Sequence, residues 1–151
     1  MGKLTPFLWF DTQLEEAMEF YAGIFPDAEI IETHNFGGQV TVATFRLAGQ
    51  EFRGMNAGPQ FPFTDAISFW IDCVDQAEVD YYWDALLAGG GHPEQCGWLR
   101  DQFGLAWQVV PRRLPELMTD PDPERARRTM DEMMTQVKLD VAALERAADG
   151  A

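Results

Sequence analysis

LWFDTQLEEAMEFYAGIFP, residues 8–26, changes its apolar period partway along, and that change decides the fold. The aromatic run that leads into it, TPFLWF at 5–10, is of strand type. From Leu14 onward the apolar residues recur at helical intervals, so that Leu14, Ala17, Met18, Tyr21 and Phe25 share one face. Thr12 and Glu15 are placed to form a capping box, and Pro26 is expected to end the helix. Extended segments follow at 29–33, at 39–47 (QVTVATFRL) and at 50–56 (QEFRGMN), the last two joined as a hairpin around Ala48 and Gly49.

The same order then starts again. Phe10-Asp11 returns as Ile71-Asp72, and Phe20-Tyr21 returns as Tyr81-Tyr82, both 61 residues on. AISFWID at 66–72 supplies a second strand, and Asp75 and Glu78 can cap a second helix with Val79, Tyr82, Trp83, Leu86 and Leu87 as its buried stripe. The glycines at 89–91 release the chain from that helix, and strand-like pieces at 96–99 and 105–110 close the repeat. GMNAGPQFPFT at 54–64, rich in glycine and proline, links the copies. Two βαβββ modules, about 1–57 and 65–111, are therefore expected to build one α+β domain. After Pro111 the pattern turns helical: Pro and Asp stand at helix-start positions, and Ala126, Met130, Met133 and Val137 follow at helical spacing. Residues 112–151 are expected to form a helical tail whose Met-rich stripe packs on the sheet or on a second subunit.

The chain of 151 residues is 46% apolar and 13% aromatic, enough for a sizeable core. No apolar run is long enough to span a bilayer, and MGKLTPFLWF lacks the features of a secretory leader, which gives a cytoplasmic expectation. Its two cysteines, Cys73 and Cys96, are read as free thiols in a reducing compartment. The net charge of −14 is concentrated before Pro111, where 4 basic side chains face 16 acidic ones. Such a surface repels phosphate backbones and anionic lipid, so neither nucleic acid nor membrane is an expected partner.

The doubled module, with FYAGIFPDAEI (20–30), MNAGPQFPFTDAISFWIDC (55–73), QCGWLRDQFGLAWQVVP (95–111) and MTDPDPERARRTM (118–130), resembles the PhnB-like branch of the vicinal oxygen chelate superfamily. That superfamily includes glyoxalases, bleomycin-resistance proteins and extradiol dioxygenases, and the branch is often labelled as containing a 3-demethylubiquinone-9 3-methyltransferase domain. The resemblance implies a glyoxalase-like curved mixed sheet, each module forming half of a cup around a ligand and often a divalent metal, with a homodimer as the common assembly. It also implies His and Glu ligands on the first and last strands of each module. Aligned without gaps, the first-strand histidine falls at Pro6, the second-module histidine at Ala66 and the final-strand glutamate at Gln108, with the fourth position somewhere in 51–56. Proline and alanine carry no donor side chain, and a neutral amide is a weak ligand beside a carboxylate. The expectation is a cup with no metal and no other cofactor. A displaced site built from His34, Glu32 and Glu51 stays open, and with it the alternative of a glyoxalase-like or dioxygenase-like metalloenzyme.

The floor of such a cup would hold Pro6, Leu8 and Phe10 from the first strand, Ala66, Ser68 and Trp70 from the fifth, and Ala106 and Gln108 from the last, with Trp9 turned toward the helices. Asn56 and Gln60 in the linker would add polar contacts at the mouth. An apolar, aromatic hollow with a few hydrogen-bonding groups suits a small organic ligand, oriented by Gln108 and Ser68 and stacked on Trp70. No catalytic residue is assigned. Cys96 lies four residues after His92 with no third group to orient the histidine, and the isolated His34 and His92 read as solvated turn residues. Methyl transfer would call for a glycine-rich turn after the first strand, whereas the glycine cluster at 89–91 follows a helix, where it serves as a C-cap.

Overall fold

A computed structural model describes residues 2–37 and 39–151 of the chain. The first module runs β1 (Phe7–Phe10), α1 (Leu14–Ala22), β2 (Glu29–Phe36), β3 (Gln39–Leu47) and β4 (Gln50–Asn56). Its strands lie in the order β1-β4-β3-β2, with β1 parallel to β4 and the other pairs antiparallel. The helix fills the crossover between β1 and the later strands and buries Leu14, Ala17, Met18 and Tyr21. Against that stripe the sheet presents Leu8, Phe10, Ala43, Phe45, Leu47 and Phe52, all buried. Gly54 sits in the same layer. A Cβ there would lie 2.8 Å from Leu14 Cδ1 and 3.3 Å from the Leu8 carbonyl oxygen, so the absent side chain is what lets helix and sheet close on each other.

Two local expectations are corrected here. The start of α1 is not held by a Thr12–Glu15 box: Gln13 is the N-cap without a side-chain bond, and Asn56, from the end of β4, accepts the Leu14 N–H at 2.9 Å. An orphan amide of the first turn is thus satisfied from across the fold instead of locally. The helix also stops at Ala22, before Pro26, because the chain tightens into a turn in which the N–H groups of Ile24 and Phe25 both donate to the Tyr21 carbonyl.

The second module repeats the first: β5 (Ser68–Cys73), α2 (Gln76–Leu87), β6 (His92–Pro93), β7 (Trp98–Arg100) and β8 (Ala106–Pro111), with strand order β5-β8-β7-β6 and β5 parallel to β8. Here Asp75 and Glu78 do hold the helix start, Asp75 Oδ1 accepting from the Glu78 N–H and Glu78 Oε1 accepting from the N–H of Val74, one residue before the N-cap, each at 3.0 Å. Val79, Trp83 and Leu86 are buried, whereas Tyr82 and Leu87 are only half-buried. The α+β class and the doubled βαβββ order of the sequence reading both hold.

The chain divides into two compact units, Met1–Phe63 and Thr64–Ala151, so the terminal helices α3 (Arg113–Met118), α4 (Pro123–Met133) and α5 (Val141–Ala148) belong with the second module. Leu114, Leu117, Leu139, Leu144 and Ala148 pack with Val110 in one cluster. Gln76 fastens the tail to α2, donating to the Leu139 carbonyl at 3.0 Å and accepting from the Val141 N–H at 2.8 Å. The expected Met stripe is not the buried face of α4. That face carries Thr129, together with Arg125 and Arg128, which donate to the last carbonyls of α5 at Ala147 and Ala148. Met133 is partly buried against the cluster, while Met130 and Met134 stay exposed. Two cations on a helix C-terminus satisfy carbonyls that apolar methionines could not.

Candidate functional site

In a strand successive side chains alternate between faces, and directly paired residues on neighbouring strands share a face. In the second module Phe69, Ile71, Trp107, Val109 and Leu99 fall on the face turned to α2; Trp107, Val109 and Leu99 are buried there. The opposite face carries a cross-strand row of Trp70, Gln108 and Trp98, one from each of β5, β8 and β7. Gln108 Nε2 donates to Ser68 Oγ at 2.9 Å, tying the last strand to the fifth. Trp70 is 54% exposed, and Gln108 and Trp98 are half-buried. The row is thus an exposed indole beside an amide that holds one side-chain hydrogen bond.

At the edge of this face stand Arg100 and its acids. Arg100 Nε lies 2.8 Å from Asp65 Oδ1 and 4.0 Å from Glu94 Oε2. Burial, followed by the neighbouring Asp65 carboxylate, holds the Glu94 carboxyl above its ordinary range, while Arg100 and His92 pull the other way. Behind the face a third carboxylate is structural. Asp101, 2% exposed, accepts from the N–H groups of Phe103 and Leu105 at 2.9 and 3.0 Å and from Trp107 Nε1 at 2.8 Å. It therefore fixes the turn that delivers β8, and with it the position of Gln108.

The first-module residues expected in the site are elsewhere. Leu8 and Phe10 belong to the buried layer against α1, and Phe10 meets Phe63 edge-on at 5.3 Å. Trp9, expected to face the helices, lies on the opposite face with Phe7: its Nε1 donates to the Gly58 carbonyl at 2.8 Å, and Phe61 of the linker meets its ring edge-on at 4.8 Å. The physical reason is that Phe7–Phe10 is apolar throughout and offers no alternation to fix its faces. The repeat did hold the signal, because Trp9 and Trp70 are also 61 residues apart, as are Leu8 and Phe69. Asn56 is committed to the start of α1, and the Gln60 amide nitrogen is oriented toward the carbonyls of Ala57 and Gly58, at 3.2 and 3.3 Å. Of the side chains expected to meet a ligand, the structure brings together Ser68, Trp70 and Gln108. Trp98 and Arg100 were missed, though the alternation in WLRD around the buried Leu99 points to them.

Comparison with known proteins places this geometry. The family model described as 3-demethylubiquinone-9 3-methyltransferase matches residues 2–110. The chain belongs to that family. The PhnB protein of Bacillus cereus, which carries the same description, is 32% identical over 73% of this PhnB-like chain and 99% of its own, with a TM-score of 0.68. The fosfomycin resistance protein FosX of Listeria monocytogenes, complexed with Mn(II) and sulfate, is 21% identical over 71% and 89% of the two chains, with a TM-score of 0.52. A glyoxalase/bleomycin resistance protein of Albidiferax ferrireducens is 15% identical over 74% and 99%, with a TM-score of 0.51. The PhnB-like chain thus has the vicinal oxygen chelate fold. No match is found among curated proteins.

Because the fold family includes metalloproteins, the donors of the PhnB-like chain are the next question. Among the described residues no group of three or more His, Cys, Asp or Glu side chains converges as a metal would require. Pro6 and Ala66 offer no donor side chain, and Gln108 offers only a neutral amide oxygen, a weak ligand beside a carboxylate. His34 Nε2 approaches Glu32 Oε2 at 3.6 Å, but both side chains are exposed. The residues present do not fit the group. His34 and His92 also stand in strands, β2 and β6, and not in turns as expected; Gly38, second of the two glycines after His34 in the sequence, lies outside the described residues. Both cysteines are unpaired, and burial pushes the Cys73 thiol up to about 12. No helix among the described residues is long and apolar enough to cross a membrane.

Proposed function

We propose that the chain binds a small, partly aromatic organic molecule without a metal, on the open face of the second module. The observation that carries this reading is the row of Trp70, Gln108 and Trp98 with the Ser68–Gln108 hydrogen bond beside it. Two indoles offer a flat apolar platform, and the amide and hydroxyl fix a guest's orientation by neutral hydrogen bonds. Methyl transfer, which the family description names, receives no support from the local chemistry: the β1–α1 connection, Asp11-Thr12-Gln13, has no glycine, and the cluster at 89–91 follows α2. The metalloenzyme alternative rests on His34, Glu32 and Glu51, of which two touch and the third does not join them. A cytoplasmic homodimer completes the reading, supported by the unpaired cysteines and by the exposed Met130, Met134 and Val137.

The test is a thermal-shift and calorimetric screen of tag-free protein against small aromatic alcohols and amides, with elemental analysis of the same preparation. A saturable rise in Tm for wild type, reduced in Trp70→Ala and Gln108→Ala, is the expected result. About one tightly held divalent ion per chain, or binding indifferent to both substitutions, would overturn the reading.

A further inference from the structure

The open face of the first module carries a different chemistry. Residues 1–111 contain only four Lys or Arg side chains: Lys3, Arg46, Arg53 and Arg100. Arg46 is paired with Glu29 at 2.6 Å and Arg100 with Asp65 at 2.8 Å. Lys3 and Arg53 have no carboxylate within ion-pair distance among the described residues, and both line one open groove of ≈ 660 Å³. In a surface so rich in acids, cations without partners are unexpected, since the surrounding field favours pairing them.

Arg53 is also held in place. It stands in a cross-strand row with Phe7 on one side and Thr44, then Glu32, on the other. Its Nε donates to the hydroxyl of Thr44, itself 7% exposed, at 3.3 Å, so the two terminal nitrogens of the fork remain for another acceptor. Beside this row β2 is bulged: the pairing jumps from Ile30 to Glu32, and the extra residue, Ile31, joins the groove wall. With Phe7, 50% exposed, it gives the groove two apolar surfaces flanking one guanidinium. Glu32 and Glu51 complete the lining and bring its formal charge to zero.

We propose that this groove binds a small monoanionic carboxylic acid with an apolar body. The planar fork of Arg53 meets the carboxylate, and Phe7 and Ile31 cover the apolar part. Glu32 and Glu51 set the limit of one negative charge, because a dianion would face two carboxylates in the groove and the field of the whole chain. None of its lining residues belongs to the Gln108 face.

Calorimetric titration of the full chain with hexanoate, which has no ring to stack on an indole, tests it, with adipate and succinate, both dianions at neutral pH, as doubly charged probes. Wild type is expected to bind the carboxylate saturably and more tightly than either dianion. Arg53→Gln, and also Arg53→Lys, which keeps the charge but loses the fork, should weaken binding by about tenfold or more. Arg46→Gln should leave the affinity within about twofold, since Arg46 does not line the groove. No saturable binding, equal affinity in Arg53→Gln, tighter binding of a dianion, or loss of binding in Trp70→Ala instead would each overturn the proposal; the last would move the acid to the Gln108 face. A circular dichroism spectrum like that of wild type accompanies each variant, and the Arg53→Lys chain answers the question if Arg53→Gln does not fold.

Discussion

Asp101→Ala removes one buried carboxylate and leaves three donors behind. Phe103 N–H is at a half-buried position and can turn to water, but the Leu105 N–H and Trp107 Nε1 belong to residues 3% exposed. A buried donor left without its acceptor costs about 1–3 kcal/mol, so two of them, with the lost charge-assisted bonds, give about 3–5 kcal/mol. Equilibrium unfolding in urea, followed by tryptophan fluorescence, reads this directly. With a slope of about 2 kcal/mol per molar, the midpoint should fall by about 1.5–2.5 M at unchanged slope. Asp101→Asn, which keeps the shape but presents an NH2 to at least one N–H, should fall between the variant and wild type. A midpoint shift below about 0.5 M for Asp101→Ala would refute the claim that this carboxylate organises the approach to β8.

Two further outcomes follow from packing and titration. Gly54→Ala places a methyl 2.8 Å from Leu14 Cδ1 and 3.3 Å from a backbone oxygen, and is expected to cost about 1–3 kcal/mol by the same urea assay, because the carbonyl cannot yield as a side chain does. Cys73, whose thiol is pushed up to about 12 by burial first and nearby Glu78 second, should resist alkylation in the folded chain at pH 8 and react on unfolding. Its linkage has a fixed sign: the unfolded thiol loses its proton near pH 9 while the folded one keeps it, so stability should decline as pH rises from about 9 toward 12 and Cys73→Ala should flatten that decline.

Much of the fold could be read from the chain because helix and strand periods are strong signals where they are clean. The α1 stripe of Leu14, Ala17, Met18 and Tyr21 and the Asp75–Glu78 helix start were legible for that reason. Faces were harder. Four consecutive apolar residues at Phe7–Phe10 cannot say which side is which, and only the 61-residue offset from Trp9 to Trp70 carries the answer. That Ser68, Trp70 and Gln108 share one face was legible because period-two alternation along β5 and β8 is clean there. Asn56 was misread as a contact at the mouth, since a side chain that caps a helix some 40 residues away in the chain has no local signature. The face that α4 turns to its own chain was hidden for a related reason: Arg125 and Arg128 are drawn inward by the carbonyls of α5, a partner the local spacing does not reveal.

The Ser68–Gln108 pair has one more consequence. Neither group changes protonation in water near neutrality, and with Nε2 on the hydroxyl oxygen the amide keeps Oε1 as an acceptor while the serine proton remains a donor. A guest could therefore be gripped from both directions without the pair coming apart. That grip would be as firm in a mildly acidic medium as in a mildly alkaline one, a constancy that a glutamate at residue 108 could not offer.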